Sequence, residues 1–219
     1  MSISREQVEA RLASDNLGDR LTAVNQLRDL EPAVAFELIQ TVVSDSSARV
    51  RYAAISQLAA LGNQDKSIGL QILRQALLND PEADVQAAAA DAIGALQLTE
   101  AYDELANAYH QSSEWLVKMS IVACLGELGD PRAFELLKTA IASDNGLIQL
   151  SAIGALGELG DPRAVDLLLP YVNHTDWQTR HRLAQALSGY DHAKAKTALK
   201  KLAQDPSPIV AAAAQAHLK

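Results

Sequence analysis

The sequence predicts an all-α fold, a right-handed α-solenoid of seven short helix pairs of about 31 residues each, forming a single domain over residues 1–219. Three observations predict it. The segment Leu125-Gly126-Glu127-Leu128-Gly129-Asp130-Pro131-Arg132-Ala133 recurs unchanged as Leu156-Gly157-Glu158-Leu159-Gly160-Asp161-Pro162-Arg163-Ala164. Aligned on it, an apolar residue returns at Leu27, Leu58, Ile93, Leu125, Leu156, Leu187 and Leu218, with spacings of 31, 35, 32, 31, 31 and 31. Alanine and leucine dominate while glycine and proline are few, which favours helix over sheet.

Each unit reads as helix A, a turn, helix B and a turn. The expected helices span 4–13, 18–30, 32–43, 47–61, 65–78, 82–96, 98–109, 113–128, 131–142, 146–158, 162–172, 176–188, 192–203 and 207–218. Asp130 and Asp161 are expected as N-caps with Pro131 and Pro162 at the first helical position, and Gly129 and Gly160 close the preceding helices. Helix B opens after a polar turn such as Ser44-Asp45-Ser46-Ser47 or Asn79-Asp80-Pro81-Glu82. Its first buried residue is Val50, Val85, Val117, Ile148 or Val210, and apolar residues follow four, five and eight positions on, sharing one helix face. Ala54, Ala89, Ala152 and Ala214 on that face let neighbouring helices approach closely. The seven marker residues should all lie in the interior, Leu218 least so because no repeat follows it. Pro170 removes a backbone donor late in the sixth A helix and should kink it. The ends differ from the rest as caps do: Asp19 replaces the apolar residue in the first repeat, and the last repeat stops at helix B.

Composition narrows the function classes. Net charge is −8, and residues 1–109 carry 8 Lys/Arg against 16 Asp/Glu, whereas residues 110–219 carry 11 of each. An acidic surface repels phosphate backbones, so a nucleic-acid partner is disfavoured. The longest uncharged helical stretch, Leu147 to Gly157, is far below the ~20 residues of a membrane span, and no leader sequence is visible. Cys124 has no partner for a disulfide, and no Cys/His spacing suggests a metal. A soluble cytoplasmic protein is expected.

The pattern Val-Arg-x-x-Ala-Ala followed by Leu-Gly-x-Leu-Gly-Asp-Pro-Arg-Ala resembles the short HEAT-like repeats of the cyanobacterial bilin lyases, and the resemblance covers residues 17–219. Within that group the chain looks like the phycobilisome degradation proteins of the NblB type. The segments carrying this are Gly18-Asp19-Arg20-Leu21-x-Ala23-Val24-Asn25-Gln26-Leu27, Ala35-Phe36-Glu37-Leu38-Ile39-Gln40, Asn79-Asp80-Pro81-Glu82-x-Asp84-Val85-Gln86 and Ser113-Glu114-Trp115-Leu116. The resemblance implies a protein that engages phycobiliproteins during nutrient stress and handles or detaches their bilin. It names phycocyanobilin as a ligand and no resident cofactor.

In such solenoids the B helices line the concave side, and three columns of residues face away from the core. They include Tyr52, Met119, Leu150 and His181 in the first, Ala88, Ser120 and Arg182 in the second, and Asp91 in the third. The columns are small and apolar midway, where a face meant only for water would carry Lys and Glu. Trp115 and Trp177 hold equivalent places where other repeats have Ala48, Ala83, Gly146 and Pro208, so the turn itself does not demand tryptophan. They read as anchors for a partner or a flat ligand, or alternatively as rings packed into their own A–B turns. His181 and Arg182 replace apolar and small residues and would hold a bilin propionate or an acidic group of a partner. Asp91, the only acid on the three columns, would by family analogy accept hydrogen bonds from pyrrole N–H groups. The expected partner site is thus Tyr52, Asp91, Trp115, Met119, Leu150, Trp177, His181 and Arg182.

Other polar residues read as structural. Arg180 matches Arg20 and Arg51 and is expected to bond turn acids or carbonyls; Cys124 reads as packing. Lys194, Lys196, Lys200 and Lys201 read as a solvated face, and His110, His174, His192 and His217 fall at turns and helix ends. The leading functional expectation is a module that binds phycobiliprotein through its concave groove and promotes phycobilisome degradation. The alternatives are an enzyme of the bilin lyase type, acting on the cysteine–bilin thioether, and a generic interaction scaffold. No His–Cys or paired-carboxylate arrangement marks a catalytic centre.

Overall fold

Local capping chemistry starts most of the helices. In the computed structural model, which describes residues 4–218, there are fourteen α-helices and no strand among the described residues. They are α1 (Arg5–Leu12), α2 (Leu17–Gln26), α3 (Pro32–Ile39), α4 (Ala48–Leu61), α5 (Lys66–Asn79), α6 (Ala83–Ala95) and α7 (Tyr102–Gln111). After them come α8 (Trp115–Leu128), α9 (Ala133–Ile141), α10 (Gly146–Leu159), α11 (Ala164–Leu168), α12 (Trp177–Ser188), α13 (Ala193–Leu202) and α14 (Pro208–Ala216). Asn16, Asp65, Asn145 and Asp176 each accept two N–H bonds from the first turn of α2, α5, α10 and α12, satisfying donors that a helix start leaves orphaned. His192 does the same for one donor of α13 through Nδ1, which gives that histidine a folding role.

The chain divides into two compact units, Met1–Ile121 and Val122–Lys219. In the first, α1 packs on α2, α3 on α4 and α5 on α6, while α2, α4 and α6 lie side by side in chain order. In the second, α9 packs on α10 and α13 on α14, with α10, α12 and α14 again in order. Leu27, Leu58 and Ile93 in the first unit, and Leu125, Leu156 and Leu187 in the second, are fully buried. Leu218 is the least buried of the seven, as expected, but it does not reach the interior: it is 38% exposed, lying past the end of α14 at Ala216.

Three further expectations are corrected. Pro131 and Pro162 precede the helices instead of opening them: α9 and α11 begin two residues later, at Ala133 and Ala164. Asp130 and Asp161 still accept the N–H of Arg132 and Arg163 at 2.9 Å, so they cap a tight first turn. The second A helix, α3, ends at Ile39, not near residue 43, where turn bonds from Thr41 and Val42 to the Leu38 and Ile39 carbonyls take over. At Pro170, α11 gives way after Leu168 to a 3₁₀ turn, Leu169–Asn173, so the helix ends where the sequence expected a kink.

Gln97 follows α6 with φ 55°, the left-handed conformation that Gly129 (64°) and Gly160 (68°) adopt at the same place in their repeats. Its N–H bonds the Gly94 carbonyl and that of Leu98 bonds the Ile93 carbonyl, closing the helix. A side chain there costs about 1 kcal/mol. Gln97→Gly is therefore expected to raise unfolding free energy by roughly 0.5–1 kcal/mol in urea titrations, reduced by loss of the Gln97 side-chain bond to Gly94.

The arginine ladder is present. Arg20, Arg51 and Arg180 each bond two carbonyls of the turn before their own helix and make two bonds to an aspartate of the next turn: Asp45, Asp80 and Asp205. These pairs are nearly buried, with side-chain exposures of 6–13%. The Arg180 hydrogen bond holds the Asp205 carboxyl below the usual carboxylate range, against the opposing pull of burial. A depressed folded value means that this stabilisation is present above the unfolded value of about 4 and is lost as pH falls through the folded one. Stability should thus decline as pH falls below about 5, and Asp205→Asn should flatten that decline in urea unfolding at stepped pH.

Candidate functional site

Bulky residues remain uncovered where B helices begin. In the first unit Tyr52 on α4 is 49% exposed and Trp115, the first residue of α8, is 45% exposed. In the second unit Trp177, the first residue of α12, is 41% exposed. Leu147 on α10 and Ile209 on α14 stand beside their first buried residues and are 49% and 55% exposed. Sequence reasoning passed over these last two because it followed the outward columns and the tryptophan position. Their signal was an apolar residue at a place that holds Arg49, Asp84 or Gln178 in other repeats.

The expected site residues fall into small groups. The Trp177 and His181 rings meet edge-on, 6.5 Å between centroids. Arg182 reaches back from α12 across Gly154 of α10; a Cβ added there would lie 2.1 Å from its Nη2. The guanidinium pairs with Glu158 at 3.2 Å, both side chains being more than 40% exposed. An exposed pair of this kind is worth under about 1 kcal/mol, so Arg182 is held over α10 yet easily recruited by another carboxylate. Leu150 and Met119 are half-buried.

Asp91 lies on α6, and the Ser120 hydroxyl on α8 donates a hydrogen bond to its carboxylate. Burial of the carboxyl raises its pKa above the ordinary value and the serine bond pulls partly back, although the residue as a whole is exposed. The outward columns are less open than the sequence suggested: Ala87, Ala88 and Ser120 are 4–5% exposed. Adjacent B helices such as α4 and α6 approach closely enough to cover residues on their outward shoulders as well as their core face.

Clefts flank the first unit's helices, and two of them border residues of α4. One, of about 360 Å³, lies between the starts of α4 and α6 and is lined by Ala48, Arg49, Tyr52, Glu82, Asp84 and Val85. The other, of about 670 Å³, lies on the A-helix side, with Val43, Ile55, Ile68 and Ile72 among its walls; no sequence pattern pointed to it. Cys124 is buried at 1% exposure, which leaves its thiol packed and out of reach of substrate. Among the described residues no group of three or more His, Cys, Asp or Glu could hold a metal ion. No helix among them is long and apolar enough to cross a membrane.

Helix pairs that stack in chain order, each on its neighbours, are the architecture of α-helical repeat proteins. The sequence matches the family described as HEAT repeats over residues 70–149 and 135–219, and that described as PBS lyase HEAT-like repeat over residues 50–79. The chain belongs to the HEAT-repeat family. Among solved structures it is similar to the complex of CpcE and CpcF of phycocyanin lyase from Nostoc sp. PCC7120, at 20% identity and TM-score 0.66, covering 100% of this chain and 94% of that one. It is also similar to YibA of Escherichia coli, at 14% identity and TM-score 0.62, covering 99% and 92% of the two chains. Yeast importin-β, Kap95p, gives 16% identity and TM-score 0.65, with 95% of this chain matching 34% of that one. At these identities the likeness is one of fold. No curated protein sequence matches.

Proposed function

We propose that this chain is a bilin-lyase-like HEAT-repeat module that binds a phycobiliprotein through its B-helix side and promotes phycobilisome degradation. The observation that carries the reading is the exposure of Trp115 and Trp177 at a position where sibling repeats fold with alanine, glycine or proline. Folding leaves those rings unexplained, and large open aromatics are what protein partners anchor on. The match of residues 50–79 to a PBS lyase HEAT-like repeat directs the choice of client toward phycobiliproteins and their bilins. His181, edge-on to Trp177, offers a ring nitrogen and Arg182, on the same helix, a guanidinium for a propionate or an acidic surface group.

A second reading, an enzyme acting on the cysteine–bilin thioether, is favoured by Asp91. Its raised carboxyl pKa and its bond from Ser120 suit a group that hands a proton to, or takes one from, a bound tetrapyrrole. Mixing the purified protein with holo-phycocyanin tests both readings. Co-elution from a sizing column with an unchanged bilin spectrum supports the binding module, and a shift or loss of bilin absorbance supports the enzyme. Separate elution with an unchanged spectrum would sink both.

A further inference from the structure

We infer that the cleft between the starts of α4 and α6 is a pocket for a single arginine side chain presented by a partner protein. The inference rests on reading the chain as a partner-binding module, but not on which protein the client is. Three residues make the pocket. The Tyr52 ring is 49% exposed on α4, and Glu82 and Asp84 bring carboxylates to the facing edge of α6, around a space of about 360 Å³. Among the described residues no hydrogen bond or ion pair engages either carboxylate or the Tyr52 hydroxyl; Glu82 only adds to the field felt by the nearby Arg51.

Asp84 suits the first turn of α6, but the repeat does not require the grouping as a whole. The repeats that carry Leu21, Ala87 or Leu150 in place of Tyr52 fold without an aromatic, and those with Leu147 or Ile209 in place of Asp84 fold without an acid. An aromatic face beside two free carboxylates is complementary to a planar cation. The guanidinium stacks on the ring while its N–H groups bond the carboxylates. Long-range attraction has the same sign, because residues 1–109 carry 16 acidic against 8 basic side chains. Arg49 borders the same cleft and lies in the first turn of α4, where a cation gains nothing from the helix dipole. It repels a run of positive charges, so the pocket takes one arginine and not a polybasic tract.

The test follows the Tyr52 ring protons by NMR during titration with acetyl-Gly-Arg-Gly-amide and with its lysine and citrulline counterparts. The arginine peptide should shift the resonances saturably, lysine should bind several-fold more weakly, and citrulline should not bind. Glu82→Gln together with Asp84→Asn should weaken arginine-peptide binding about tenfold or more. In variants lacking Tyr52, binding is followed through the amides of α4 and α6. Tyr52→Ala should weaken it similarly while Tyr52→Phe stays within about twofold, since the ring face and not the hydroxyl holds the cation. Equal binding of citrulline, indifference to the carboxylate changes, or no shift at all would overturn the inference. Co-elution with phycocyanin uses none of these peptides, so the client reading and the arginine pocket can fail separately.

Discussion

Replacing Leu125 by alanine is expected to lower the unfolding free energy by about 2–5 kcal/mol, the range for truncating a buried leucine. Leu125 has no exposed surface, and on α8 it occupies the same register as Leu156 and Leu187 on α10 and α12. Its four-carbon side chain cannot be replaced by shifting neighbours, because α8 and α10 already touch backbone to backbone at Gly126 and Ala155. The lost side chain therefore leaves a void. Leu218→Ala supplies the internal comparison: 38% exposed and beyond the last helix, it should change stability by no more than about 0.5 kcal/mol. Urea midpoints of both variants check the pair. Equal midpoints would mean that the repeat register is wrong.

The double change Trp115→Ala, Trp177→Ala should weaken phycocyanin binding at least about thirtyfold, the equivalent of roughly 2 kcal/mol for a lost anchor. Each residue keeps about two fifths of its surface open in its own unit, and the sibling repeats fold with alanine, glycine or proline at that place, so truncation leaves the repeat able to fold. Thermal unfolding should move by only a few degrees, as for other surface substitutions. Surface plasmon resonance with immobilised phycocyanin measures the affinity, and circular dichroism confirms the helices. Wild-type affinity in the double variant would take away the main support for the binding proposal. Loss of the His181 edge contact makes Trp177 the more consequential of the two, which the single variants resolve.

Helix placement was legible because its signals recur along the chain. The repeat spacing and the polar turns placed the helices, whereas the caps Asp65, Asn145 and Asp176, whose side-chain oxygens accept donors two and three residues on, went unread in the sequence. The ladder was legible for a similar reason: Arg20, Arg51 and Arg180 recur at one register, so a single bonding geometry serves all three. What the sequence hid depends on separation between helices. Ala87, Ala88 and Ser120 looked outward by angle, yet neighbouring helices stand close enough to bury them. Arg182 looked like a free cation until the absence of a side chain at Gly154 gave it a path to Glu158. The Tyr52 cleft was half visible: the tyrosine was singled out, but Glu82 and Asp84 lie one repeat on and close it only in three dimensions.

The two glycine contacts in the second unit bear on how such a chain can lengthen. A Cβ at Gly126 would meet the Ala155 backbone at 2.5 Å, and one at Gly157 would meet the Ala186 backbone at 2.6 Å. The α10 module thus carries a notch at Gly157 on one flank and the alanine tooth Ala155 on the other, so a copy of it arrives already keyed to both its neighbours. The verbatim recurrence of Leu125–Ala133 at Leu156–Ala164 is what such copying leaves behind. Drift at the notch is checked by an unyielding backbone rather than a pliable side chain, so these glycines should outlast the surface residues around them as the family diverges.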